Sequence, residues 1–110
     1  MTRLLLGLMC AFTAEAAAPG VIVRVDGANR ELPLERYVAA VLAGESSVFQ
    51  SPEALKAMAV AARTYAVRLR GRHSAEGFDF CATTHCQRLD LDAVTPRLTG
   101  IAAQTAGELL

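Results

Sequence analysis

Residues 73–87 concentrate the reactive side chains of this chain. Their sequence, HSAEGFDFCATTHCQ, contains both histidines of the protein and two of its three cysteines. Imidazole nitrogens and thiolate sulfurs are ligands of zinc, and a cysteine near a histidine can also act as a nucleophile. The segment therefore raises four alternatives: a metal site, a disulfide loop, two unlinked buried thiols, and a nucleophilic centre.

The spacing of the cysteines does not choose among these alternatives. Cys81 and Cys86 lie five positions apart, and a loop of this size can close on a metal ion or on a disulfide bond. His73 precedes the loop and His85 lies within it, so either imidazole could join the sulfurs in a tetrahedral site, for which thiolates favour zinc. On residue types alone, metal and disulfide remain equally open.

Glu45 is the strongest single candidate for acid–base chemistry. It follows an apolar pattern of helical spacing that Gly44 is predicted to end. A carboxylate at the C-terminal end of a helix meets the negative end of the helix dipole, which is unfavourable by a few tenths to about 1 kcal/mol. An acid kept in an unfavourable position is a candidate for a functional role, here proton transfer.

Two basic residues on a later helical pattern could complete a cleft around this acid. Lys56 and Arg63 are seven residues apart, so they lie on the same side of a helix, with the small residues Ala59 and Val60 between them. One acid and two cations would suit a polar sugar or an anionic substrate. The alternative is an ion-pair network on the surface.

Two helical patterns must position these residues. The first begins at Leu34, and a loop is predicted at residues 46–50. The second begins at Ser51 and Pro52, a hydroxyl cap followed by proline, and continues to Leu69. Because many alanines along the second pattern allow a neighbouring element to approach closely, this helix is predicted to be central.

Short strands and a last helix complete the predicted fold. Val21–Val25 is rich in β-branched residues, the Asp-Gly pair at 26–27 signals a turn, and residues 30–32 return as a partner strand. Residues 78–81 and 86–89 are further short strands, and Thr95 with Pro96 begins a final helix. The prediction is an α+β fold: one compact domain with a central Ala-rich helix, a second helix and a small β-sheet.

Composition and the N-terminus limit the classes of function. The formal net charge is zero, which argues against a nucleic-acid partner. Arg3 precedes an apolar run at residues 4–12, and small residues in an A-x-A pattern follow. This layout predicts a signal peptide over residues 1–18 and export to the periplasm or cell-wall space, with a buried N-terminal helix as the alternative. The run is too short for a stable membrane span.

Three segments together resemble a known family. They are LERYVAAVLAGE at 34–45, PEALKAMAVAARTYAV at 52–67 and GFDFCATTHCQ at 77–87. In this order and spacing they resemble the stage II sporulation protein D (SpoIID) family, which includes amidase enhancers of the LytB type. The resemblance covers residues 21–110 and indicates that residues 19–110 form a SpoIID/LytB-like catalytic domain.

The resemblance implies an enzyme of the bacterial cell wall. Its expected activity is that of a lytic transglycosylase, which cleaves MurNAc–GlcNAc strands of peptidoglycan without stem peptides and leaves a 1,6-anhydro product. Glu45 would be the catalytic acid and base. The basic residues Lys56 and Arg63 would line the cleft, where His85 and Gln87 are further candidates for substrate contacts. A structural zinc ion would be bound by His73, Cys81 and Cys86.

The sequence also departs from the family pattern. Ser46 and Ser47 follow the acid where a Met-Pro pair is usual, and Ala82 stands where an acidic residue is common. Catalytic domains of the family continue past a segment like TAGELL, so a C-terminally truncated domain is expected. The alternative functions are a non-catalytic module that binds the cell wall or enhances a cell-wall amidase, and a small interaction domain stapled by zinc or a disulfide.

Overall fold

The computed structural model describes residues 20–45 and 51–110. The predicted signal peptide at 1–18 and the predicted loop at 46–50 lie outside the described residues. Among the helices of the described ranges, none has the length and apolar character needed to cross a membrane.

The N-terminal hairpin forms as predicted. Strands β1 (Val21–Val25) and β2 (Ala28–Leu32) pair antiparallel. Asp26 and Gly27 connect them with φ angles of 48° and 81°, in the left-handed region that Asp tolerates and Gly adopts freely. The alternate residues of β1 point into the core, where Val21 and Val23 are fully buried.

A short third strand completes the sheet, in the order β2-β1-β3. Strand β3 (Phe80–Cys81) pairs parallel with β1. Asp79, just before it, accepts a hydrogen bond from the Ile22 N–H through its side chain and donates its own N–H to the Ile22 carbonyl, both at 2.8 Å. Of the two strands predicted around the cysteine loop, the first is confirmed in its last two residues.

The second predicted strand, at 86–89, is wrong. This segment has no regular secondary structure. It packs against the first helix instead, where Leu89 is buried and the N–H of Asp90 donates to the carbonyl oxygen of Ala40 at 3.0 Å. Contacts with a helix have therefore replaced the strand pairing that the local sequence predicted.

Three helices follow the predicted patterns: α1 (Leu34–Glu45), α2 (Pro52–Leu69) and α3 (Pro96–Gln104). The hydroxyl caps are confirmed, since Ser51 accepts from the N–H of Ala54 at 3.1 Å and Thr95 accepts from the N–H of Leu98 at 3.3 Å. Together with the sheet, these helices confirm the predicted α+β class.

Helix α1 is the most deeply buried element. All of residues 37–43 are buried, because the sheet, α2 and α3 cover different sides of the helix. Helix α2 buries a single face, formed largely by its small residues. The core on the sheet side contains the aromatic pair Tyr37 and Phe80, whose ring centroids are 5.6 Å apart. The core on the α3 side contains Leu42, Leu55 and Ile101.

Gly44 does not end α1, contrary to the prediction from its residue type. The helix continues through Glu45, and Gly44 allows a close approach instead. A Cβ atom on Gly44 would lie 2.7 Å from the carbonyl oxygen of Arg88 and 3.0 Å from the Cα of Leu89. The absence of a side chain at Gly44 therefore brings the segment after the cysteine loop against the end of α1.

We expect Gly44→Ala to destabilise the protein although alanine is the better helix former. The new methyl group would meet backbone atoms, which cannot rotate away, so the free energy of unfolding should fall by about 1–3 kcal/mol. Gly100→Ala is the matched control, because nothing lies within 4 Å of a Cβ on this glycine of α3. The control should gain up to about 1 kcal/mol. Urea denaturation of both variants measures the difference, and equal gains would contradict the close approach.

Candidate active site and metal site

Glu45 lies where α1 meets the segment after the cysteine loop. It is half-buried and lines a cleft of about 180 Å³. The described residues that line this cleft come from α1, α2 and the segment at 84–88: Val41, Glu45, Met58, Thr84, Cys86, Gln87 and Arg88. Glu45 and the end of the reactive segment, which the sequence singled out separately, therefore line one cleft.

Gln87 is held in this cleft by a buried tyrosine. The hydroxyl of Tyr37 donates to Oε1 of Gln87 at 2.6 Å. Tyr37 is fully buried. This burial, together with the electrostatic effect of the nearby Tyr65, raises the pKa of the Tyr37 hydroxyl well above the usual range. The hydroxyl therefore remains protonated and acts as a hydrogen-bond donor. Of the predicted substrate contacts, Gln87 is the one that lines the Glu45 cleft.

The reactive segment also brings together a cluster that could hold a metal ion. One nitrogen each of His73 and His85 and the sulfur of Cys86 all lie within 4.8 Å of one another. Nε2 of His73 is 3.3 Å from Sγ of Cys86. Ligands of a tetrahedral zinc ion, at bond lengths of about 2.0–2.3 Å, are separated by roughly 3.3–3.8 Å, so this pair already has a suitable spacing.

Contacts around His73 fix the orientation of its ring. Its Nδ1 is 2.8 Å from Oε1 of Glu76, and its face stacks on Phe78 with centroids 4.9 Å apart. The other nitrogen is thereby directed toward Cys86. A carboxylate on the far side of an imidazole is the usual outer partner of a metal-binding histidine.

The cysteine pair differs from the predicted ligand set. Cys81 and Cys86 are both free thiols, and the N–H of Cys81 donates to Sγ of Cys86 at 3.2 Å. Sγ of Cys81 is 3.4 Å from the Thr83 hydroxyl and is not part of the three-residue cluster. Of the predicted ligands the structure therefore gathers His73 and Cys86, and His85 joins them in place of Cys81.

The two thiols have different acidities. Burial raises the pKa of Cys81, but hydrogen bonds from Cys86 and Thr83 outweigh this effect and lower the value to about 7. Burial, together with the hydrogen bond to Cys81, raises the pKa of Cys86. Cys81 is therefore the thiol of the pair that loses its proton more readily.

The two predicted cleft cations lie elsewhere. Nζ of Lys56 is 3.7 Å from Glu53, and its side chain is 38% exposed. It lines a separate polar depression between α2 and the residues around Thr105 and Glu108. Seven-residue spacing places Lys56 and Arg63 on one side of α2, as expected, but that side faces α3 and the C-terminal residues and not Glu45.

Arg63 is an interior residue, with a relative exposure of 1%. Its Nε and Nη2 atoms donate to both carboxylate oxygens of Glu35 at 2.6–3.2 Å. Nη2 also donates to the Ala102 carbonyl and the Thr105 hydroxyl, and Nη1 donates to the Glu108 carbonyl, each at 3.1 Å. The guanidinium group therefore joins α1, α2 and α3 from inside the protein.

Sequence reasoning missed several residues that line the cleft or support a residue that does. Tyr37 belongs to the apolar face of α1, so its pattern predicts a core position and gives no sign of the hydrogen bond to Gln87. Met58 fits the apolar stripe of α2 in the same way. Thr84 and Arg88 carry no signal of their own, because only the close approach at Gly44 brings their segment to Glu45.

Comparisons with known proteins relate this chain to one family. The family model described as stage II sporulation protein, SpoIID, matches residues 26–110. Stage II sporulation protein D of Bacillus amyloliquefaciens is 57% identical over 44 residues, which are 40% of this chain and 13% of that protein. The protein of the same name from Bacillus subtilis (strain 168) is 54% identical over 44 residues, with the same coverage.

The match is thus to a small part of each relative. The aligned segment spans 13% of the length of either Bacillus protein. No solved structure matches the chain. The family model nevertheless covers most of the chain, including the Glu45 cleft and the cysteine loop. The protein belongs to the SpoIID family of stage II sporulation proteins.

Proposed function

We propose that this protein is an exported lytic transglycosylase that cleaves the MurNAc–GlcNAc bond of peptidoglycan strands without stem peptides. The observation that carries the proposal is the position of Glu45 in a cleft beside the amide of Gln87. The chain also belongs to the SpoIID family, and its resemblance to that family implies the same activity. Its place of action would be the periplasm or the cell-wall space.

Glu45 would perform both proton transfers of the reaction. As the acid it would protonate the glycosidic oxygen while an oxocarbenium-like sugar develops. As the base it would then take the proton of the muramoyl 6-hydroxyl, whose oxygen attacks the anomeric carbon and closes the 1,6-anhydro ring. No water enters the product.

The described lining of the cleft is consistent with this single-acid chemistry. Within residues 20–45 and 51–110, Glu45 is the one carboxylic acid among the residues that line it. Glycosidases that use water or a covalent intermediate ordinarily need a second carboxyl group about 5–9.5 Å from the first. An intramolecular hydroxyl as the nucleophile removes this need.

The size of the cleft is consistent with a polymeric substrate. A volume of about 180 Å³ is below the roughly 300 Å³ at which pockets that enclose a small molecule begin. Such a cleft would hold the reacting linkage while the rest of the strand lies along the surface. Lys56 and Arg63 would make no contact with this linkage, since neither lines the cleft.

Zinc is proposed as a structural component. The cluster of His73, His85 and Cys86 would bind it through two imidazole nitrogens and one sulfur. Bound there, zinc would cross-link the segment that supplies Gln87 to the turn that carries His73. Glu76 would hold the outer nitrogen of His73.

We expect zinc to stabilise the wild-type protein. It should not stabilise a variant that lacks the sulfur atom of Cys86. In Cys86→Ser the cluster loses its thiolate, so a chelator that lowers the melting temperature of zinc-loaded wild type should leave this variant unchanged. Ser74→Ala, an exposed change in the same segment, should respond like wild type. Melting curves and metal content measure both. A wild-type melting temperature that ignores zinc and chelator alike would contradict the metal site.

The activity is tested by the mass of its products. Purified protein is incubated with glycan strands freed of peptides, and the fragment ends are measured by mass spectrometry. Transglycosylation gives ends that are one water lighter than the ends left by hydrolysis. Reducing ends would instead indicate a hydrolase. Strands that bind without cleavage would favour the alternative, a wall-binding module that enhances a cell-wall amidase.

A further inference from the structure

The hydrogen bond from Tyr37 to Gln87 connects the protein core with the Glu45 cleft. We propose that Tyr37 is a positioning residue: it holds the Gln87 amide so that its N–H groups face the cleft and donate to the acetamido carbonyl of an N-acetylated sugar. This inference rests on the proposed function. It adds a source of specificity, namely the acetyl group of the amino sugar beside the bond to be cleaved.

The length of the bond sets the orientation of the amide. The two heavy atoms are 2.6 Å apart, which is short for N–H···O and ordinary for O–H···O. The oxygen of Gln87 therefore faces the Tyr37 hydroxyl. With the amide reversed, the tyrosine proton would have no acceptor in the part of the chain that the structure describes, and a buried donor without a partner is strongly disfavoured.

The tyrosine is a rigid support for this bond. Its ring is fully buried on the most deeply buried helix, and it stacks on Phe80 of β3 at an angle of 30°. Gln87, in contrast, is half-exposed on a segment without regular structure. A glutamine side chain has several rotatable bonds, so fixing its oxygen in advance reduces the entropy lost when a ligand binds.

The fixed orientation determines which chemical group the amide can recognise. Because its oxygen faces Tyr37, the Gln87 amide directs its two N–H donors away from the tyrosine, where they can meet a ligand. A carbonyl oxygen only accepts hydrogen bonds, so it can pair with these N–H groups in a single way, whereas a hydroxyl group can also turn its proton elsewhere. Both sugars of the glycan strand carry an acetamido carbonyl, and a site that pairs with it rejects an analogue without it.

The test combines two single variants and their double variant. Tyr37→Phe keeps the ring and removes the hydroxyl, so KM for acetylated strands should rise about five- to tenfold, the value of one hydrogen bond, with little change in kcat. Gln87→Ala should raise KM at least as much. If Tyr37 acts through Gln87, the double variant should match Gln87→Ala alone. Multiplied effects in the double variant would overturn the inference.

The substrate and a second tyrosine provide the controls. On strands from which the acetyl groups have been removed, wild type and Tyr37→Phe should have equal KM values. Tyr65→Phe also loses a hydroxyl next to Phe80, but that hydroxyl pairs with Arg72 and Cys86 and not with Gln87, so any change of its KM should be the same on acetylated and on deacetylated strands. A rise of KM in Tyr37→Phe that persists on deacetylated strands would overturn the assignment to the acetamido group.

An NMR measurement separates this inference from the proposed function. The side-chain amide of Gln87 should give a pair of resonances in wild type that differ from those of a free glutamine, and Tyr37→Phe should move them to the free positions. Unchanged resonances would overturn the positioning role, whether or not the protein cleaves glycan. If the resonances move and no glycan is bound or cleaved, the proposed function fails and so does the acetamido assignment, while the positioning of Gln87 stands.

Discussion

Replacement of Arg63 by methionine is expected to lower the free energy of unfolding by about 3 kcal/mol, a large part of the stability of a small domain. Arg63 is almost completely buried and donates to Glu35 and to the Ala102 carbonyl of α3. Methionine fills a similar volume but supplies no donor, so the Glu35 carboxylate of α1 and the buried Ala102 carbonyl of α3 lose their partner. The expected loss is kept below the maximum for a buried ion pair because the Glu35 side chain is 37% exposed and can be hydrated.

Two further variants make this prediction sharper. Arg63→Lys keeps the charge but cannot reproduce the paired donors, so it should also be destabilised. Lys56→Met changes an exposed cation on the same helix and should alter the free energy of unfolding by no more than about 0.5 kcal/mol. Urea denaturation measures all three. If Arg63→Met were as stable as wild type and had lost glycan binding, Arg63 would be a substrate residue after all.

The second large effect concerns activity. Glu45→Gln is expected to reduce kcat on glycan strands by about 10²–10⁴-fold, because an amide cannot transfer the proton that the reaction needs. The shape of the side chain is preserved, so KM and the melting temperature should change little. Product formation by wild type and variant, at saturating substrate, provides the measurement.

Glu53→Gln is the matched control for this experiment. Its carboxylate lies in the first turn of α2, is 85% exposed and pairs only loosely with Lys56. It does not line the Glu45 cleft in the described structure. Its kcat should equal that of wild type. A Glu45→Gln protein that retained wild-type kcat would exclude Glu45 as the acid and base.

Local signals predicted the elements well. The hydroxyl caps at Ser51 and Thr95 and the turn at Asp26 depend on contacts within a few residues, so the sequence contains the information for them. The failed strand at 86–89 depends instead on which element lies next to it. Local propensity did not show that α1 would occupy that place.

The candidate site was only partly predictable, because local signals do not show which elements lie next to each other. Glu45 and the cysteine segment could each be selected by residue type. Their close approach, however, requires a residue without a side chain at Gly44. Helical periodicity placed Arg63 on a defined side of α2 without showing which element covers that side. Arg63 was predicted to line a substrate cleft, with a surface ion pair as the alternative, and its burial became visible only when Glu35 and α3 were placed around it.

The parallel pairing of β1 with β3 has a consequence for how the protein folds. Ile22 and Asp79 are 57 residues apart in the chain, and both helices that flank the Glu45 cleft lie between them. Contacts of such high sequence separation form slowly, because the entropy of closing a long loop opposes them. The cleft should therefore mature late, at the step that pairs β3 with β1. Hydrogen exchange during refolding should protect the amides of α2 before the amide of Asp79, which donates to the Ile22 carbonyl.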